Sequence, residues 1–168
     1  MPAIHRASAV FCLALFGAAA CAPATSGGMS SRSAVDSTAL VAEARAFMEA
    51  YATDLRTGAR EGVAARYDPR GAWMVGGGRK DFVPADSIRA MYLGGWRPPA
   101  SFEWQDLSYE AVGPDAVVVA GRFLWGVSAT DRRTFSYTAL LLRQEGRLRI
   151  RLEDESGAPV RPPPAPAP

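Results

Sequence analysis

The side chains able to do chemistry are few, and they set the terms for everything else. The chain has one His and two Cys among 168 residues, and His5, Cys12 and Cys21 all fall in its first 21 positions. The body downstream has no imidazole and no thiol. That excludes Ser-His-Asp triads, thiol nucleophiles, Cys/His zinc sites and disulfides there. Carboxylates, tyrosines and arginines remain. Tyr51 lies on an apolar helical stripe, where its hydroxyl either orients a polar atom of a ligand or is satisfied within the core. Asp54, one turn on, shares that face or ends the helix in solvent. Asp106 continues the alternation of Phe102 and Trp104, which makes it a candidate general base; a one-residue bulge there would turn it to solvent. Arg122 interrupts an apolar strand, so it binds a ligand carboxylate or pairs with Asp106 or Glu153. Glu153 and Asp154, beside Arg149 and Arg151, read as cross-strand charge pairs.

Other groupings are weaker. Gly76-Gly77-Gly78-Arg79-Lys80 has neither phosphate-loop nor dinucleotide spacing and reads as a flexible turn. Trp73, Trp96, Trp104 and Trp125, with Phe102 and Phe123, line an apolar pocket, form a dimer face or simply fill the core. The charge balance is 19 Lys+Arg against 17 Asp+Glu, net +2, which excludes nucleic acid as an expected partner. No cofactor and no metal site is expected. Hydrophobic residues at 48% suit one folded domain.

The ends differ from the body. Residues 1–20 carry Arg6 and then an apolar, small-residue run over 7–20, too short for a bilayer span of about 20 residues but suited to a signal peptide. Ala18-Ala19-Ala20-Cys21 resembles a lipobox whose Cys becomes lipidated, although Leu is usual where Ala18 stands. The expected address is the cell envelope, periplasmic or extracellular, anchored at Cys21, with a freely secreted protein as the alternative. The membrane is then a partner through the anchor only. Residues 21–35 read as a flexible tether and 157–168 as a Pro-rich solvated tail.

These candidates need elements to position them. Leu40, Ala44, Phe47, Met48, Tyr51 and Leu55 predict a helix capped by Asp36 or Ser37 and ended by Gly58. Residues 60–66 predict a short second helix, 71–75 a short strand and 84–93 a third helix stopped before Pro98-Pro99. The period then becomes two. Strands are expected over 101–112, 116–127, 133–143 and 147–154, joined by turns too short for anything but antiparallel neighbours. The expected class over 36–156 is α+β, with three N-terminal helices packed on a curved antiparallel sheet.

Three stretches carry a resemblance: Phe47–Tyr67 (FMEAYATDLRTGAREGVAARY), Ser87–Tyr92 (SIRAMY) and Ser136–Ser156 (SYTALLLRQEGRLRIRLEDES). In this order they resemble the nuclear transport factor 2-like superfamily, the SnoaL-like or ketosteroid-isomerase-like cone with its cystatin-like fold. The resemblance implies a conical pocket open at one end. Members include isomerases, cyclases, dehydratases and transport adaptors, so the fold alone supplies no function. By resemblance, Tyr51 matches the isomerase's oxyanion-hole tyrosine and Thr138 its second donor. The position of its catalytic carboxylate falls at about Val75, where no acid stands. Leu148 replaces the usual Trp of the closing hairpin, and Leu152 and Asp154 replace frequent His positions. The expected function is binding of a small apolar ligand, or of a protein partner, without catalysis. The expected pocket residues are Tyr51, Trp73, Trp104, Arg122, Trp125 and Thr138, and a homodimer through the sheet is a further expectation. The alternative is a SnoaL-like isomerase, cyclase or hydratase with Asp106 as base and Tyr51 and Thr138 as oxyanion donors.

Overall fold

A computed structural model describes residues 27–128 and 130–157. The expected signal peptide, Cys21 and the tail beyond Gly157 lie outside the described residues. The first helix, α1, runs Gly27–Thr57 and so begins well before the expected cap at Asp36 or Ser37. It takes in the second half of the expected tether. No proline lies between Pro23 and Pro69, so nothing in the chain blocks extension of the helix toward its N-terminus. Of the expected stripe, Leu40, Ala44, Met48, Tyr51 and Leu55 are buried, Phe47 is only partly buried, and Ala52 joins the buried face. At its end Gly58 adopts φ +67°, and the Ala59 amide donates to the Asp54 carbonyl at 2.9 Å. This is a glycine stop of the usual left-handed kind.

A single turn, α2 (Arg60–Ala64), leads to the hairpin of β1 (Ala72–Gly76) and β2 (Arg79–Val83). Gly77 and Gly78 form its turn, both at positive φ (56° and 78°), as a two-residue hairpin of the mirror-image type requires. The sequence alone left β2 unseen because its residues are polar and lie on an exposed edge. Helix α3 (Ala85–Leu93) follows Pro84 and buries Ile88 and Tyr92, one turn apart. The meander comes last: β3 (Ser101–Gly113), β4 (Ala116–Gly126), β5 (Arg132–Gln144) and β6 (Arg147–Gly157).

The six strands form one curved sheet in the order β2-β1-β6-β5-β4-β3. The sheet is mixed, which corrects the all-antiparallel expectation. β1 lies parallel to β6, with Trp73, Met74 and Val75 opposite Leu152, Glu153 and Asp154. The strand enters from the helical segments rather than through a hairpin with β6, so no tight turn dictates its direction. Helix α1 packs across the inner face, chiefly on β3. Inward residues Phe102, Val117, Val119, Phe123, Tyr137, Ala139, Leu141, Leu148 and Ile150 complete the core.

Three register shifts break the alternation, one of them at Val112 near the end of β3. In β3, Asp106 and Leu107 together oppose Gly121. Asp106 takes φ 54°, and a Cβ on Gly121 would sit 2.8 Å from the Asp106 carbonyl oxygen. In β6, Leu152 opposes Leu140 while Ile150 opposes Leu141, so Arg151 is the extra residue. Each bulge moves the residues beyond it to the other face. Leu141 packs at the centre of the inner face with no exposed surface. Leu141→Ala should lower unfolding free energy by about 2–5 kcal/mol in urea titrations.

Candidate active site

The β6 bulge decides which acid enters the interior. Leu148 and Ile150 point inward, and strict alternation would send Leu152 and Asp154 after them. With Arg151 inserted, Glu153 turns inward instead and is 3% exposed. A carboxylate taken out of water needs strong partners. Tyr51 of α1 donates to one carboxylate oxygen, Oε1, at 3.2 Å. Tyr67 donates to the other, Oε2. The Tyr67 hydroxyl also meets those of Tyr51, at 3.2 Å, and of Tyr92 on α3, at 2.8 Å. Tyr137 of β5 places its hydroxyl close to the same carboxyl and to Glu155. That hydroxyl is buried and makes no close, well-aligned hydrogen bond of the kind that Tyr51 and Tyr67 make to Glu153.

Each tyrosine has a local reason to be there. Tyr51 ends the buried stripe of α1, and Tyr92 lies one turn after Ile88. Tyr67 is held by backbone bonds that stitch its loop to β6, from Ile150 N to Arg66 O at 2.9 Å and from Asp68 N to Ile150 O at 3.0 Å. Tyr137 follows the regular inward alternation of β5. No salt bridge among the described residues involves Glu153.

Burial pushes the Glu153 carboxyl above the ordinary glutamate range, while the hydroxyls of Tyr67, Tyr137 and Tyr51 hold it partly down. Burial, reinforced by the Glu153 charge, raises Tyr51, Tyr67, Tyr92 and Tyr137 as well, so all four remain hydroxyls. Glu155 shares the inner face two residues on. Solvent reaches it, yet protein surrounds it at the mouth of the concave face. It is pushed up to about 8 by desolvation first, then by the charges of Glu153 and Asp154. The two glutamates open onto a cleft of about 270 Å³, lined also by Met74, Val75, Gly76, Arg79 and Asp81. Gly76 is required here, because a Cβ would come 2.8 Å from the Glu155 carbonyl oxygen and force β1 off β6. Carboxyls raised above their ordinary range beside phenol donors can move protons or anchor a polar ligand.

The residues expected from sequence divide between two faces. Tyr51, Trp104 and Trp125 lie on the inner side. Trp104 donates its indole N–H to the Met48 carbonyl at 2.9 Å and packs on Phe102 and Tyr137, at 4.7 Å between ring centres in both cases. Trp125 packs against Phe102 and Phe123. Trp73, Arg122 and Thr138 lie on the outer face. Trp73 is 36% exposed, stacked edge-on with Phe82 and under the Lys80 ammonium. Thr138 is exposed between buried Tyr137 and Ala139. Those six residues therefore cannot line one pocket. Asp106 sits on the bulge, exposed, and pairs with exposed Arg122. It has no path to Tyr51, which removes it as the base of that constellation. Asp54 accepts two bonds from Arg66, at 2.6 and 2.8 Å. Tyr67, Tyr92, Tyr137 and Glu155 were not singled out, and Glu153 was read only as a cross-strand pair. The one sequence signal was that two of the family-like stretches end on Tyr67 and Tyr92.

No family model matches the chain, and no curated protein matches it. Solved structures do. A nuclear transport factor 2-like protein of unknown function from Shewanella oneidensis superposes with a TM-score of 0.60 at 15% identity, covering 68% of this chain and 96% of that one. A scytalone dehydratase-like protein from Novosphingobium aromaticivorans gives 0.57 at 11% identity, over 77% and 89%. A calcium/calmodulin-dependent protein kinase II association domain-like protein from Xanthomonas campestris gives 0.58 at 18% identity, over 71% and 88%. The fold is nuclear transport factor 2-like. Identities this low establish architecture and nothing finer. Within the nuclear transport factor 2-like cone, the carboxyl here projects from the last strand.

The raised carboxyls fix the sign of a pH effect. Between the ordinary glutamate value of 4.5 and about 8, the folded state holds a proton at Glu155 that the unfolded chain releases. Stability should therefore fall as pH rises through that window. Melting temperature measured from pH 5 to 8.5 should decline, and Glu155→Gln should flatten the decline.

Proposed function

We propose that the protein is a small-molecule-binding domain of the cell envelope whose site is the cleft floored by Glu153. The observation that carries this is a buried carboxyl without a cationic partner, held by hydroxyls and bordering an open cleft. Burying such a group costs stability that an apolar side chain would not, which is the mark of a site rather than of packing. A cleft with apolar walls and a few convergent polar groups is the usual form of a ligand site. The ligand is orientated by Glu153 and Glu155, with Met74 and Val75 as the apolar wall.

A second reading is proton-transfer catalysis, with the glutamates as acid and base and the tyrosines as donors to a developing oxyanion. It is favoured by the position of Glu155 near neutrality and by the likeness to a scytalone dehydratase-like protein. Native mass spectrometry of the protein from its own cells should show a bound small molecule. Met74→Trp, which fills the cleft, should lose it, whereas Asp106→Ala on the outer face should keep it. A bare protein in every preparation would reject the binding reading.

We also propose lipid attachment at Cys21, which the small-residue run and Cys at 18–21 support. Among the described residues no helix is long and apolar enough to cross a membrane. A palmitate analogue fed to cells should label the protein and fail to label Cys21→Ala. Equal labelling of both would refute the anchor.

A further inference from the structure

We infer that the proline-rich segment after β6, residues 161–166, folds back over the outer face of the sheet and packs on Trp73 and Phe82. This face is turned away from the Glu153 cleft, so the inference stands apart from the ligand reading. Five residues in direct cross-strand register make an apolar row across it: Phe82, Trp73, Leu152, Leu140 and Val118. The outward side of a sheet that meets water is ordinarily polar. At the β2 end of the row the two rings meet edge-on at 5.4 Å between centres, yet Trp73 stays 36% and Phe82 41% exposed.

The occupant is read from the chain itself. β6 ends at Gly157, and the sequence goes on as Ala158-Pro159-Val160-Arg161-Pro162-Pro163-Pro164-Ala165-Pro166. A segment lying on a sheet face finds side chains there and no backbone partners. A polyproline II segment suits that place, because it makes no internal hydrogen bonds, is already stiff, and packs its rings on aromatic side chains. Its free carbonyls need donors, and two lie at the rings: the Lys80 ammonium is 4.9 Å from the centre of Trp73 and the Arg151 guanidinium 5.2 Å from that of Phe82. A second copy laid face to face would need about 800 Å² from each partner. Glu110 closes one end of the row, and Asp154 and Thr138 line one side, which leaves a strip rather than a broad apolar face.

Reach and charge both fit. Back from Gly157 along β6, Asp154 lies about 10 Å away and Leu152, opposite Trp73, about 17 Å away at roughly 3.3 Å per residue. After a reversal at Ala158 and Pro159, a polyproline II run rises about 3.1 Å per residue, which puts Arg161 about 6 Å and Pro164 about 16 Å back along the strand. The long Arg161 side chain then spans the rest of the way to Asp154, while Pro163 and Pro164 come level with Trp73. Asp154 is outward-facing, accepts the Ser156 hydroxyl at 2.6 Å and has no ion-pair partner among the described residues. The order of the segment, a cation and then prolines, thus matches the order of the face, an acid and then aromatic rings.

The test is NMR on the full chain, reading the Trp73 indole N–H signal and nuclear Overhauser contacts between proline ring protons and that indole. The inference expects contacts from Pro163 or Pro164 to Trp73 within one chain. Serine at positions 162, 163 and 164 together (Pro162→Ser, Pro163→Ser, Pro164→Ser) should abolish them and move the indole signal. A synthetic peptide of residues 158–168 added to that variant should return the signal toward its starting position. Arg161→Glu should lower the docked population about twofold to fivefold, the scale of an exposed ion pair, and Asp154→Arg in the same chain should restore it. An indole signal that is the same with and without the serines, and no proline contact, would overturn the inference. In a mixture of isotope-labelled and unlabelled chains, contacts that run only between chains would make the occupant the tail of a second copy and overturn the fold-back. A Trp73 signal that moves with protein concentration and ignores the serines would give the face to a second copy's sheet and overturn it too.

Discussion

A carboxyl group shut away from water must be held by something, and in this protein phenol hydroxyls hold it. Glu153 receives Tyr51 from α1 and Tyr67 from the loop after α2, and through Tyr67 it is joined to Tyr92 of α3. Three segments are thereby tied to one strand of the sheet. Hydrogen bonds in such a dry place are stronger than in water, and a connected network specifies geometry that apolar contact alone leaves loose. The helices in this cone thus gain a common reference point, and it is polar.

That reference point exists only because β6 carries one residue too many. Arg151 occupies the bulge, and everything beyond it changes face. The same device in β3 has the opposite effect on chemistry, since it carries Asp106 out of the interior. Two acids thus exchange the places that simple alternation assigns to them. The backbone of β3 hints at its bulge, because Asp tolerates the left-handed conformation better than most residues. Arg151 gives no such sign, so the inward turn of Glu153 could not be foreseen from the string of residues.

Much of the framework was legible. The stripe from Leu40 to Leu55 named the buried face of α1, the glycine at 58 named its end, and the alternating runs after residue 100 named the four long strands. All of these are local signals. The parallel seam between β1 and β6 is not local, as nothing near Trp73 records that its neighbour lies far along the chain. β2 was hidden for another reason: an edge strand with both faces wet has no apolar period to show. The site failed to appear because it is assembled from single residues on separate elements, each of which looks like ordinary core or ordinary surface alone. Tyr51 was noticed, but the carboxyl that gives it a role was assigned to arginines on neighbouring strands.

Those arginines explain why the acid is left alone. Arg122 is on the outer face and spends its guanidinium on Asp106. Arg143, near the β5–β6 turn, joins Glu43 and Asp115. Arg149 donates to the Ala65 carbonyl and Arg151 to that of Gly71. Along β6 the alternation that buries Leu148 and Ile150 puts Arg149 on the opposite side, and the bulge then brings Glu153 inward without bringing a base with it. A sheet only one residue thick thus separates charge by parity. Bases collect where water can solvate them, and an acid remains where it cannot. The cost of that separation is set by the strand register alone, so it can persist without strain elsewhere in the fold. Glu153 is therefore stabilised by the hydroxyls around it, and its charge is removed only by a proton or balanced by a molecule entering through the cleft.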